Sequence, residues 1–195
     1  MVSLTEKERE TLLVLFKDFT AFYNSNNISK ILNISHVGAQ KIFKRLYKSD
    51  VLTSQKIGKS IIYKLKLDDY VIELITFLLT DEANKFKRWK EEFKELYKED
   101  RIILIFGSAI KNYDKAEDID LMIVMDKKDI SEINNILKEK EKILPKKIHA
   151  IKLTHNDLLE NLKNKDNVII DIVKKAIVLY GHNNYVKTLK NVRSL

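Results

Sequence analysis

The sequence predicts an α+β fold: two small modules joined by a helical connector. Three observations carry this. The first third shows three helical patterns and then an alternating stretch tipped by glycine. Residues 69–99 place apolar side chains at helical spacing. Beyond them, "RIILIF" (101–106) and "DIDLMIV" (118–124) are short, β-branched runs that suit buried strands.

The bulk numbers set limits. A chain of 195 residues, 45% hydrophobic and 33% charged, has an ordinary globular balance. No apolar run approaches the ~20 residues that span a bilayer. The start, "MVSLTEKERETLL", carries acidic residues and does not read as a signal peptide, so a cytoplasmic protein with no membrane partner is expected. The absence of cysteine excludes disulfides, thiolate metal sites and cysteine nucleophiles. The net charge of +8 is uneven: residues 1–66 hold 12 Lys/Arg against 5 Asp/Glu, and residues 67–195 hold 24 against 23. A compact basic module beside a near-neutral one points to a polyanionic partner for the first.

Thr5 and Glu8 form a capping box for a first helix, in which Leu12, Leu15, Phe16 and Phe19 recur at helical spacing. The turn-rich "NSNN" (Asn24 to Asn27) is predicted to end it. "ISKILNI" is a short second helix. Ser35 is the expected N-cap of a third, with Val37, Ile42, Phe43 and Leu46 facing inward and Gln40, Lys41, Lys44, Arg45 and Lys48 mostly outward. "VLTSQKIGKSIIYKLKL" reads as a β-hairpin with Gly58 at its tip.

Three helices and a basic hairpin resemble a winged helix-turn-helix, over most of "ISKILNISHVGAQKIFKRLYKSDVLTSQKIGKSIIYKL". The resemblance implies double-stranded DNA as partner, with the third helix in the major groove and the hairpin on the backbone. Ser35, His36, Gln40, Lys41 and Lys44 then reach phosphates or base edges, Gln40 being able to pair with adenine. Lys56 and Lys59 contact phosphate from the wing. The plainer alternative is a solvated basic face on a protein-binding module, with His36 simply exposed.

The connector is capped by Asp68 and Asp69. It carries Val71, Leu74, Ile75 and Leu78, is interrupted near Thr80, and resumes with Phe86, Trp89, Phe93 and Leu96. This stripe packs within its own chain, Trp89 included, or serves a homodimer. The predicted domains are residues 1–67, a connector of 68–99, and 100–195.

Asp118 and Asp120 stand two residues apart on one strand and so share a face. Two unscreened carboxylates side by side repel. A divalent cation, Mg²⁺ or Mn²⁺, makes the pair useful, since hard cations take oxygen ligands and share them with substrate phosphates. Gly107 lets backbone amides approach a ligand, and Ser108 adds a hydroxyl. These parts suit a nucleoside triphosphate.

A strand, Gly-Ser, about ten residues, then Asp-x-Asp on a second strand resembles the nucleotidyltransferase superfamily, in its minimal, polymerase-beta-like type. Its usual form is Gly-Ser-x-Ala-Arg-Gly, a loop, then Ser-Asp-Ile-Asp-Leu. Gly107, Ser108, Asp118, Ile119, Asp120 and Leu121 match; Lys111 stands in place of Arg, and Ile110 and Asn112 depart. "NVIIDIVKKAIVLYGHNNYVK" resembles the family's closing helix and "LYG" segment. The likeness spans about residues 100–190. It implies a small mixed sheet flanked by helices, Asp118 and Asp120 as catalytic metal ligands, and Gly107, Ser108 and Lys111 on the nucleotide. It also implies a third carboxylate on a later strand. That strand is "KKIHAIKLT" (146–154), which offers His149 and no acid. Asp157 reads as part of a capping box, Asp171 as a surface carboxylate, and His155 and His182 as exposed. Two functions follow. One is transfer of a nucleotide, AMP above all, from ATP to a hydroxyl of a protein or small molecule. The other is a DNA-binding regulator whose second domain senses nucleotide or mediates assembly without turnover.

Overall fold

The structure, a computed structural model, describes residues 3–193. The chain divides into two compact units between Leu78 and Leu79.

The first unit opens with helix α1 (Glu6–Lys17), capped by Thr5 and Glu8 in a reciprocal box. Glu8 is buried and pairs with Arg45 at 3.3 Å. The "NSNN" stretch does not end α1. It starts the second helix, α2 (Ser25–Ile31): Asn24 accepts from the amides of Asn26 and Asn27, and Asn27 reaches back to the Asn24 amide. Asparagine serves as well at an N-cap as in a turn, and here the cap geometry wins.

α2 turns into α3 (His36–Lys48) through Asn33 in the left-handed region, φ +50°. Ile34 N–H returns to the Ser29 carbonyl at 2.9 Å and Asn33 N–H to that of Lys30 at 3.4 Å, the paired bonds of a Schellman stop. α3 closes the same way at Asp50 (φ +59°), where Val51 bonds back to Leu46 and both side chains are buried. The buried face of α3 is Ala39, Phe43 and Leu46. Val37, expected inside, is 58% exposed, and Ile42 is half-buried. Phe43 claims the inner position by stacking on Tyr63 with ring centroids 4.3 Å apart, which rotates the helix away from Val37.

Strands β1 (Leu52–Ile57) and β2 (Ser60–Leu65) form the antiparallel hairpin. Its two-residue loop is Gly58-Lys59, with Gly58 at φ +59° as the tight hairpin turn requires. Tyr63 N–H donates to the Tyr23 carbonyl at 2.8 Å, pinning the segment before α2 to the hairpin. Three helices and a hairpin in this order make a winged helix-turn-helix fold.

Helix α4 (Asp69–Asn84) starts at Asp68, whose carboxylate accepts from Val71 N–H. It is not interrupted at Thr80. The apolar spacing set by Val71, Ile75 and Leu78 continues through buried Leu79 and Ala83, so burial carries the helix past the polar residues. The break falls at Lys85-Phe86, before α5 (Lys87–Glu92) and a 3-10 turn (Lys94–Leu96).

The second unit is a four-stranded mixed sheet. Its strands are β3 (Ile102–Phe106), β4 (Asp118–Val124), β5 (Lys147–Leu153) and β6 (Ile177–Tyr180), in the order β5-β4-β3-β6. β3 is antiparallel to β4 and β6, and β4 runs parallel to β5. The parallel pair needs a crossover. The short α6 (Ser108–Lys111) precedes β4, and α7 (Ile130–Ile143) supplies the crossover after it. On one side, Ile103, Ile105, Ile119, Leu121 and Ile123 join Trp89, Phe93, Leu96, Ile133 and Leu137 in one core. The connector's second stripe is thus core of its own chain. Helices α8 (His155–Lys163) and α10 (His182–Arg193) contact β5 and β3, and α9 (Asn167–Lys175) lies between them in sequence.

Arg101, immediately before β3, is almost fully buried. It donates to the Leu96 carbonyl and meets Glu132 at 2.8 Å and Asp129 at 3.5 Å, with Lys98 completing the cluster. A buried guanidinium needs such partners to offset its lost hydration.

Candidate functional site

The end of the sheet that carries Asp118 and Asp120 is built by register. Phe106 pairs with Asp120 across β3 and β4, so Gly107, the next residue, arrives beside that carboxylate. Gly107 has φ +80° and ψ −161°, a conformation reserved for glycine. A Cβ added there would collide with Asp120 Oδ2 and lie 3.0 Å from Asp120 Cγ. The turn and the carboxylate are therefore in mutual contact, and glycine is the residue that permits it. Ser108 opens α6, and Gly107, Ser108 and Lys111 are all exposed.

Asp118 and Asp120 are half-buried, with Ile119 fully buried between them and pointing the other way. On the neighbouring parallel strand Asp120 is in register with His149. His149 Nδ1 lies 2.8 Å from Asp118 Oδ2, and the imidazole is mostly solvent-exposed. Asp118, Asp120 and His149 each offer a ligand atom, and these three atoms lie within 4.8 Å of one another. Burial first, and then the neighbouring Asp118 charge, raises the Asp120 carboxyl above the usual carboxylate range, with His149 acting the other way. A divalent cation would relieve that like-charge pressure. An octahedral ion with ~2.1 Å bonds spaces adjacent donors ~3 Å apart and opposite ones ~4 Å, so the donor set fits such an ion.

The loop between α6 and β4 is held by contacts that the sequence does not advertise. Tyr113 lies under Arg88, whose guanidinium carbon is 3.7 Å from the ring centroid, with Lys146 at 4.8 Å and Trp89 edge-on at 5.5 Å. Lys146 also bonds the carbonyls of Asp114 and Ala116. These residues position the loop that separates Ser108 from Asp118. A Tyr between two cations far apart in sequence leaves no periodic signal to find.

The other sequence candidates sort clearly. Thr154 and Asp157 form a capping box at α8, and Asp171 is exposed and bonded to Lys175. His155 is half-buried, its Nε2 2.7 Å from the Asp100 carbonyl. His182 is half-buried rather than exposed, and the glycine before it, Gly181, packs on the Arg101 backbone. Burial pushes its imidazole down to about 4, its Nε2 is buried without a hydrogen-bond partner, and a bond to the Val178 carbonyl opposes the shift.

In the first unit Ser35, His36, Gln40, Lys41, Lys44, Lys56 and Lys59 are all exposed. Ser35 Oγ accepts from Gly38 N–H at 3.0 Å, so it caps the helix as well as facing solvent. Val37 joins Gln40, Lys41 and Lys44 on one outward helical face by its spacing. Among the described residues, no helix is long and apolar enough to cross a membrane.

The comparison with curated proteins gives no match. The adhesin competence repressor AdcR of Streptococcus pyogenes is similar in structure at 18% identity and a TM-score of 0.39, over 58% of this chain and 76% of that one. A mutant of ZitR from Lactococcus lactis is similar at 14% identity and a TM-score of 0.39, over 72% and 77%. Another ZitR mutant, solved in complex with DNA, is similar at 15% identity and a TM-score of 0.35, over 72% and 77%. The family model "Polymerase beta, Nucleotidyltransferase" matches residues 90–185. Through these residues, with Gly107 packed on Asp120 and Asp118 beside it, the chain carries a nucleotidyltransferase domain of the polymerase beta family.

Proposed function

We propose that this chain binds duplex DNA through its first unit and a nucleoside triphosphate, ATP above all, through its second, where it transfers AMP to a hydroxyl. The observation that carries the transferase reading is the packing of Asp120 against Gly107, with Asp118 and His149 in reach of the same point. The exposed Gly107-Ser108 amides and the Ser108 hydroxyl receive phosphate oxygens, and Lys111 adds a cation. Asp118 and Asp120 hold a divalent ion, Mg²⁺ or Mn²⁺, which when bound offsets the charge that builds on the reacting phosphate. The acceptor oxygen bonds to the α-phosphorus as the bond to pyrophosphate breaks, and the hydroxyl proton is released.

ATP labelled at the α-phosphate tests this. With a divalent cation, label should pass to a protein or small-molecule acceptor. Asp118→Asn and Asp120→Asn should each cut the rate by at least about 100-fold, roughly 2.7 kcal/mol of barrier. One observation favours a second reading: β5 brings an imidazole and no carboxylate to the site. A sensor would bind labelled nucleotide with the cation and form no product.

For the first unit, the exposed Lys41, Lys44, Lys56 and Lys59 contact phosphates. Gln40 and Val37 face base edges, the valine methyls suiting the thymine methyl and the glutamine amide suiting adenine. Duplex affinity should fall with salt at a log–log slope of about 0.9 per phosphate neutralised, and Lys44→Ala or Lys59→Ala should each reduce that slope by about 1. A salt-independent response, or no duplex binding at low salt, would remove DNA as the partner.

A further inference from the structure

The placement of His149 says more than that a carboxylate is missing. β5 is the edge strand, parallel to β4 and in register, so residue 149 stands across from Asp120 on the face the two acids share. The neighbouring Ile148 is buried on the opposite side, which fixes the direction of His149. Its Nδ1 is 2.8 Å from Asp118 Oδ2, which is also close to the spacing of two adjacent donors on one small ion. The ring is mostly exposed, so either nitrogen has room to turn toward the acids.

Two carboxylate oxygens and one imidazole nitrogen are not a neutral choice among divalent ions. Mg²⁺ takes oxygen ligands and gains little from nitrogen. First-row transition ions gain from imidazole, increasingly from Mn²⁺ through Co²⁺ and beyond. Three oxygens would leave Mg²⁺ competitive; replacing one by nitrogen tilts the balance.

We propose that Asp118, Asp120 and His149 form a mixed oxygen–nitrogen site that selects a first-row transition-metal ion of the Mn²⁺ class over Mg²⁺. The inference rests on the reading of Asp118 and Asp120 as metal ligands, and adds the third ligand and the ion it favours. His149 is here a ligand that sets ion choice. Its side chain completes the donor set from the strand on which the sequence offers no acid.

The test uses the full chain with Mn²⁺ as probe. Free Mn²⁺ is followed by its aqueous electron paramagnetic resonance signal, in the presence of a non-hydrolysable ATP analogue, with Mg²⁺ added as competitor. Wild type should bind Mn²⁺ and resist Mg²⁺. His149→Ala should weaken Mn²⁺ by at least about tenfold, the scale seen when groups supporting a metal site are removed. His149→Asp should retain binding and move the Mn²⁺-to-Mg²⁺ affinity ratio toward Mg²⁺ by a similar factor. Echo-detected coupling of bound Mn²⁺ to an imidazole nitrogen should be present in wild type and absent from both variants. Trp89 fluorescence confirms that the variants fold, and His149 is exposed on an edge strand, so neither change should unfold the unit. Binding that is lost in Asp120→Asn but unchanged in ratio and spectrum by His149→Ala overturns this inference and leaves the metal reading of the acids intact. Failure of wild type to bind either ion overturns both.

Discussion

Gly58 and Gly107 both adopt a left-handed φ, at +59° and +80°, and their surroundings are opposite. A Cβ on Gly58 would meet nothing within 4 Å, whereas one on Gly107 would strike Asp120. The wing tip uses glycine only to turn. The strand corner uses it to let a carboxylate touch the backbone. At the first turn nothing packs on the glycine, so a side chain there has room. At the second, one contact depends on the missing Cβ, and the consequence of losing it is correspondingly large.

The largest expected effect is therefore at Gly107. Gly107→Ala adds a forbidden backbone region to a steric collision, which together should cost about 3 kcal/mol of stability in the second unit. Trp89 is the only tryptophan in the chain and is buried in that unit's core, so denaturant unfolding followed by its fluorescence reads this unit alone. Nucleotide and cation binding should be lost even where the variant is folded, because Asp120 must move aside. Unchanged binding would mean that the Gly107–Asp120 contact is incidental and the contrast with Gly58 is false.

A third corner extends the comparison. Gly181 (φ +77°) has no room either, since a Cβ there would strike the Arg101 carbonyl. It delivers His182 into a half-buried position where burial, and then the nearby Lys90 charge, hold the imidazole at about 4. The ordinary value is about 6.5. Between these two values the unfolded chain binds a proton that the folded chain does not, so stability falls as pH drops from 6.5 toward 4 and the contribution is fully present above 6.5. The fall attributable to His182 should be roughly 2 kcal/mol. His182→Asn should flatten that part of the pH profile of Trp89-detected unfolding. A variant profile parallel to wild type would show that the imidazole reaches water.

What is legible in the sequence follows from what each feature depends on. Asp118, Asp120, Gly107 and Ser108 are readable because strand alternation and a glycine after an apolar run are local signals. The resemblance to nucleotidyltransferases supplies the rest of the sheet. The asparagine cap at "NSNN" is ambiguous, since the same side chain serves to end one helix or begin the next, and only the neighbouring helix decides. Val37 reads as an inward residue because hydrophobicity outranks geometry when the helix phase is unknown. The Phe43–Tyr63 stack that sets the phase joins two elements distant in sequence. His149 stands out as the odd residue on its strand, but its distance to Asp118 depends on a strand register that no local pattern encodes.

At the wing the effect shrinks. Gly58→Ala should cost about 1 kcal/mol, the ordinary penalty for a left-handed alanine, because nothing crowds the site. Duplex affinity should stay within about twofold of wild type, since Lys56 and Lys59 remain. Fluorescence of Trp89 cannot report this unit, so amide hydrogen exchange of the hairpin is the measurement. A destabilisation as large as that at Gly107 would mean the tip is packed against something, and the two turns would no longer differ in kind.

The smallest effect sharpens the comparison most. Val37 sits exposed on the outward face of α3 beside Gln40, away from the buried face of that helix. If that face reads bases, Val37→Ala removes two methyl groups from a contact with one thymine. On a selected duplex the loss should be about 1 kcal/mol, or roughly fivefold. Replacing that thymine by uracil, which lacks only the methyl, should weaken wild type by a similar factor and leave Val37→Ala nearly indifferent. The salt slope should not change, because no charge has been touched. Lys44→Ala should do the reverse, lowering the slope and weakening all sequences alike. The two variants together separate a surface that recognises sequence from one that is merely basic. Equal losses on every sequence from Val37→Ala would leave the first unit with charge alone as its means of binding.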